Sequence, residues 1–166
     1  MSTIARIDPL TATAKELSDP LHSKRIDSVK LVKVYLDQIA QQDHDGLCLN
    51  AIISTAPKTE TQSPYVRGGV EPDAKWLRHS TPCGSSSGSA AGVAAGFAPV
   101  SVGTETDGSI CLPATRAALY AMKATVGAIN MTAAQPANPD FDSAGGLAKT
   151  PLESSNGDGN DREWRL

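Results

Sequence analysis

The sequence predicts an α/β chain, and three observations carry that expectation. From Ser28 to about Gln42, apolar side chains (Val29, Leu31, Val32, Tyr35, Leu36 and Ile39) recur at helical spacing. Two short runs, Leu49–Ser54 and Pro99–Gly103, read as buried strands. Between them a stretch of Ala, Gly and Val from about Ser89 to Phe97 reads as a helix of small residues. With 166 residues the chain can bury one modest core, so one domain is the default.

Taken in order, Thr11–Leu17 is expected to form a short helix that stops near Asp19–Pro20. Ser28 is a suitable cap for the second helix. A polar turn, Asp43–Gly46, leads to the LNAIIS strand. Ala56–Cys83 shows no convincing element, because Pro57, Pro64, Gly68, Gly69, Pro72 and Pro82 interrupt every pattern. A run of that length inside a compact domain is either a functional loop or the scar of a missing segment. A Gly/Ser loop follows at Gly84–Gly88, then the small-residue helix and the PVSVG strand. Thr104–Ser109 is rich in turn residues, and Pro113–Leu119 can begin another short helix. The segment 153–166 is polar and reads as a disordered tail.

Composition narrows the function. A net charge of −3 gives no reason to expect nucleic acid or an anionic membrane as partner, and 4% aromatic residues leave little for base stacking. The three cysteines, Cys48, Cys83 and Cys111, lack metal-ligand spacing and favour a reduced, cytoplasmic setting. The start of the chain has no apolar signal core, and the longest apolar stretch, Ala90–Val102, is too short and glycine-rich to span a bilayer.

The segment that points to chemistry is Thr81–Gly127, above all GSSSGS at Gly84–Ser89 and TETDGSI at Thr104–Ile110. Ser85 and Ser109 lie 24 positions apart, each in a setting dense with hydroxyls and small residues. A serine becomes a nucleophile when a neighbour takes its proton and donors await the oxyanion. The backbone of Thr106, Asp107, Gly108 and Ser109 offers such donors, Gly108 leaves room for close approach, and Ser85 is placed to relay a proton. The plainer alternative is that both segments are only tight turns and helix caps.

Rival readings are weaker. Gly84–Gly88 fits the G-x-S-x-G nucleophile elbow, but no good strand precedes it and His22, His44 and His79 all come before the serine. The same loop opening a helix suits an anion or phosphate, although the Lys-Ser/Thr ending of a nucleotide-binding loop is missing. Glu105 and Asp107 have no histidine nearby and read as turn acids rather than metal ligands.

GSSSGSAAGVAAGFAPVSVGTETDGSICLPA resembles the amidase signature family, and the likeness continues through Ala114–Gly127, where Ala124 replaces a family proline. The helix Ser28–Gln42 and the Leu49–Ile52 segment are also similar, and HSTPCGSSSGS and TETDGSI look most like amidases of fungal type. The resemblance implies a mixed sheet flanked by helices, and hydrolysis of linear amides by a Ser–cis-Ser–Lys triad without metal or organic cofactor. By motif position Ser109 resembles the nucleophile and Ser85 the middle serine, with the Gly84–Ser85 bond cis. Thr106, Asp107, Gly108 and Ser109 fall on the oxyanion hole, Asp107 and Ser87 standing where glycine is commoner. Cys111, just past the nucleophile, either faces substrate or is a small buried thiol.

The family lysine has no counterpart. Lys15, Lys24, Lys30, Lys33, Lys58 and Lys75 lack the strand context and following Asp, and Lys123 matches another position. A block between Pro57 and Thr61 is missing, and the family continues well beyond Pro151. The expectation is therefore an incomplete fragment of the amidase-signature fold. Residues 8–152 form a partial domain, with a helical part at 8–57 and the signature core at 61–152. Without the lysine segment the chain itself is expected to be inactive; its partner is a small amide if it is active, and the alternatives are a non-catalytic remnant or an anion- or phosphate-binding module at Gly84–Ser89. Missing strands would leave open edges and exposed apolar faces.

Overall fold

A computed structural model of the chain describes residues 7–43, 45–49, 51, 61, 63–66, 81–132, 134 and 136–156. Helix α1 spans Ala14–His22 and α2 spans Ser28–Gln42. After the signature loop come α3 (Ser87–Ala94), strand β1 (Val100–Glu105), α4 (Cys111–Arg116), β2 (Tyr120–Lys123), β3 (Ser143–Ala148) and α5 (Pro151–Asn156).

The first helix begins later than expected and passes through Pro20. Thr13 caps it, with its hydroxyl accepting from the Glu16 amide while the Glu16 carboxylate accepts from the Thr13 amide. Pro20 lies near the end, so its missing N–H removes one bond of the last turn and does not prevent it. For α2 the cap is Asp27, whose carboxylate accepts from the Val29 amide at 2.9 Å; Ser28 is the first helical residue. Leu49 and Ala51 are buried but belong to no strand, and the remainder of the expected 49–54 strand lies outside the described residues. So does most of the 56–83 stretch.

The small-residue helix is present, two residues earlier than expected at its start. A Schellman motif ends it: the Gly96 amide donates to Val93 and the Phe97 amide to Gly92, with Gly96 at φ +75°. Strand β1 runs two residues beyond its expected end, taking in Thr104 and Glu105. Helix α4 begins at Cys111 and not at Pro113.

Strands β2 and β3 have no counterpart among the elements expected from the sequence. β3 lies between the other two in the order β1-β3-β2, and both pairings are antiparallel. Its SAGGLA sequence lacks a strand signature for a steric reason. A Cβ at Gly145 would run into the Met122 carbonyl of β2, and one at Gly146 would lie 2.9 Å from the Ser154 carbonyl of α5. Alternation along β3 then puts α5 on one face, against Gly146, and α3 and α4 on the other, against Leu147. Helices thus flank both faces, as the α/β class requires. Among the described residues, β1 and β2 are open edges, and Val102, Tyr120 and Met122 are exposed along them.

The core has two parts that share α3. Ala91 and Ala95 pack with Leu49, Ala51 and Phe97, while Ala90 packs with Ile110, Ala114, Ala117 and Leu147. Only small side chains let one helix be enclosed on both sides at close range. Residues 153–156 of the expected polar tail belong to α5, where Glu153 is buried and accepts from the Lys15 amide at 3.3 Å and the Ala14 amide at 2.5 Å. Residues 157–166 lie outside the described residues. Among the described residues no helix is long and apolar enough to cross a membrane.

Candidate active site

The site forms where β1 leaves the sheet. The chain turns through Thr106–Ser109 and enters α4, and the buried Glu105 carboxylate closes that turn from below. Its Oε2 accepts from the amides of Ile110 at 2.7 Å and Cys111 at 2.9 Å. Burial alone would raise the Glu105 pKa, but donation from Cys111 and Ile110, with weaker help from Gly108, holds it below the usual carboxylate range. Glu105 is therefore a buried anchor of the turn, not an exposed turn acid. Gly108 takes φ +83°, and a Cβ there would stand 2.9 Å from Leu112, so glycine suits this corner on two counts.

Two further side chains hold Thr106. Its hydroxyl donates to Asp142 Oδ1, while Asp142 Oδ2 accepts from the amides of Ala137 at 2.8 Å and Asn138 at 2.9 Å. These bonds, led by that of Thr106, keep the Asp142 carboxyl below its ordinary pKa. Lys123 Nζ donates to the Thr106 carbonyl at 2.9 Å. The side chains of Lys123, Asp142 and Glu105 thus grip one short turn from β2, the loop before β3, and β1.

The two serine segments meet through Ser86. Its amide donates to the Ser109 carbonyl at 3.0 Å, and its hydroxyl both donates to the Thr104 carbonyl and accepts from the Thr104 amide, each at 3.2 Å. Gly103 makes this fit possible, since a Cβ there would approach the Ser86 hydroxyl to 2.6 Å. Ser89 and Ser101 extend the seam, donating to the Val102 and Ser89 carbonyls. Ser85 itself is exposed, Ser109 is half-buried, and the Gly84–Ser85 peptide bond is cis. Ser85, Thr106, Asp107, Gly108 and Ser109 therefore lie on two loops joined by direct hydrogen bonds.

Sequence reasoning missed Ser86, Lys123 and Asp142 as members of this site. Ser86 is masked by its neighbour, and Asp142 sits in an unremarkable Asn/Pro/Asp turn. Cys111 is exposed, which corrects the buried-thiol alternative. Desolvation and the Glu105 charge push its thiol pKa up, against a smaller pull from Lys123, so it does not compete as a thiolate. Lys149 lies at the far end of β3, where it donates to the Pro9 and Leu10 carbonyls. Burial lowers its pKa against the opposing charges of Asp8 and Glu153. Lys58 and Lys75 lie outside the described residues. Thr81–Cys83, immediately before the loop, form no strand, so the nucleophile-elbow context is missing there.

Known proteins share the fold. The fold is similar to the solved structures of PAM12A (TM-score 0.67, 20% identity, 87% of this chain and 46% of that one) and of the native peptide amidase from Stenotrophomonas maltophilia (TM-score 0.62, 20% identity, 94% and 51%). In sequence, the chain is 49% identical over 70 residues to one subunit of the glutamyl-tRNA(Gln) amidotransferase of Francisella philomiragia. That match takes in 42% of this chain and 15% of the relative; a Francisella tularensis counterpart is 46% identical over 72 residues, 43% and 15%. The chain thus spans about half the length of these structures and a much smaller part of the curated relatives. The sequence profile of the Amidase family matches residues 48–151, more than half of the chain, and the chain belongs to that family.

Proposed function

We propose that the two joined loops are a serine centre for hydrolysing the C–N bond of linear amides, with Ser109 as nucleophile and Ser85 as proton relay. The observation that carries this reading is the Ser86–Ser109 hydrogen bond, which fixes one serine loop against the other. Ser109 Oγ attacks the carbonyl carbon, and the carbonyl π pair moves onto oxygen, where the Thr106–Ser109 turn receives it. As the C–N bond breaks, the Ser109 proton passes to Ser85, and the Ser85 proton goes to the leaving nitrogen. Water then releases the acyl group.

The sequence between Asp43 and Ser85 contains no lysine in the family context, so the relay starts without an activating base. We therefore assign this chain only residual acyl transfer, of the kind an oxyanion turn supports when a triad member is missing. It is a partial amidase domain, within 8–152. An odd number of cysteines without metal-ligand spacing supports a reducing, cytoplasmic setting.

Hydrolysis of a p-nitrophenyl ester beside the matching p-nitroanilide tests this. Slow ester cleavage, lost in Ser109→Ala, and far slower anilide cleavage are expected. Ester cleavage that survives Ser109→Ala unchanged contradicts the assignment of the nucleophile. Anilide turnover at ordinary enzyme rates contradicts the residual character.

A further inference from the structure

We propose that Lys123 is a positioning residue for the oxyanion turn, acting through the peptide between Thr106 and Asp107; this rests on the acyl-transfer reading above. Lys123 ends β2, opposite Gly145 of β3 in the sheet register. Its ammonium donates to the Thr106 carbonyl at 2.9 Å. In a planar trans peptide the C=O and the following N–H point in opposite directions. Holding the Thr106 carbonyl toward Lys123 therefore turns the Asp107 N–H away from it.

Among the described residues the Asp107 and Ser109 amides meet no acceptor, whereas those of Ile110 and Cys111 are taken by Glu105. Asp107 N–H and Ser109 N–H, with that of Thr106, are thus the turn donors left for a developing oxyanion. A cation on the carbonyl side also polarises the amide and leaves its N–H a stronger donor. The Lys123 charge is felt by Asp142, which the Thr106 hydroxyl holds, and by the Cys111 thiol, on which Glu105 acts from beneath the turn. Both carboxylates are already satisfied by backbone or hydroxyl donors, so neither needs the ammonium as its hydrogen-bond partner. What the lysine adds is the orientation and polarisation of one peptide.

Two readouts on the whole chain test this: the rate at which a fluorophosphonate labels Ser109, and the amide ¹⁵N resonance of Asp107. In Lys123→Met the labelling rate is expected to fall about tenfold or more, a part of what losing an oxyanion donor outright costs. The Asp107 nitrogen is expected to shift more than the other turn amides, and Lys123→Arg is expected to restore much of both. Lys123→Gln, which keeps a donor without the charge, replaces the Met variant if that one loses its near-UV circular dichroism. Wild-type labelling in a folded Lys123→Met or Lys123→Gln protein overturns the proposal, as does an Asp107 resonance that does not move. If the wild type itself leaves Ser109 unlabelled, the acyl-transfer reading fails separately. The Asp107 resonance then decides: a shift upholds the polarised peptide, and its absence refutes the role of Lys123.

Discussion

Helices α2 and α3 invert the usual relation between pattern and burial. α2 has fifteen residues, a side-chain cap and apolar positions at helical spacing, yet none of its residues is buried. Val29, Val32 and Leu36 are 58%, 55% and 56% exposed. α3 has eight residues, no side-chain cap and no polar face of consequence, and it buries Ala90, Ala91, Gly92 and Val93. Periodicity shows that α2 is a helix made to be covered; burial needs a partner surface, and among the described residues α2 is held at points, by Ile39 on the core, by the Gln38 bond to the Ala95 carbonyl and by the Leu49 amide donating to the Gln42 carbonyl. α3 is held because Ala and Gly let two cores and a strand approach it. The site grows out of the second kind of region.

The contrast predicts where mutations hurt. Gly145→Ala forces a methyl group against the Met122 backbone in the central strand, and a loss of about 3 kcal/mol or more in urea unfolding is expected. A fully stable variant would show that the sheet is not packed as described. Glu105→Ala leaves the Ile110 and Cys111 amides unpaired beneath the turn, at an expected cost of about 2 kcal/mol. Faster amide exchange at those two residues would locate the damage.

Acid should act on the same turn. Glu105 and Asp142 both titrate below their ordinary values when folded, so their stabilisation is complete above the unfolded values, about pH 4. It is lost as pH falls through the lower, folded values. The urea midpoint should thus hold from pH 7 to about pH 5 and drop toward pH 3. Asp142→Asn should flatten part of that drop, and an unchanged slope in this variant would remove Asp142 from the account.

How much of this is legible in the sequence follows from the same contrast. The α/β class, the serine loops and the small-residue helix can be read because they repeat a family motif or a helical period. β3 cannot, because its glycines answer to Met122 and Ser154, neighbours distant or unrelated in pattern. Pro20 reads as a stop, although one missing N–H near a helix end is tolerated. Glu105 looks like a surface acid in the sequence, whereas its carboxylate lies beneath α4, and the roles of Lys123 and Asp142 depend on sheet register alone. Substitution on the exposed side of α2 should matter least. Leu36→Glu is expected to change stability by under about 0.5 kcal/mol while reducing self-association in sedimentation. A large loss would mean that this face is covered within the chain.

The central claim, that the α3–β1–α4 region carries a serine centre, is tested most directly by peptide mapping of the folded chain after fluorophosphonate treatment. A single adduct on Ser109, absent from Ser109→Ala and slowed in Glu105→Ala, is the result predicted. An unlabelled Ser109, or adducts spread over Ser85, Ser87 and other serines alike, would contradict it.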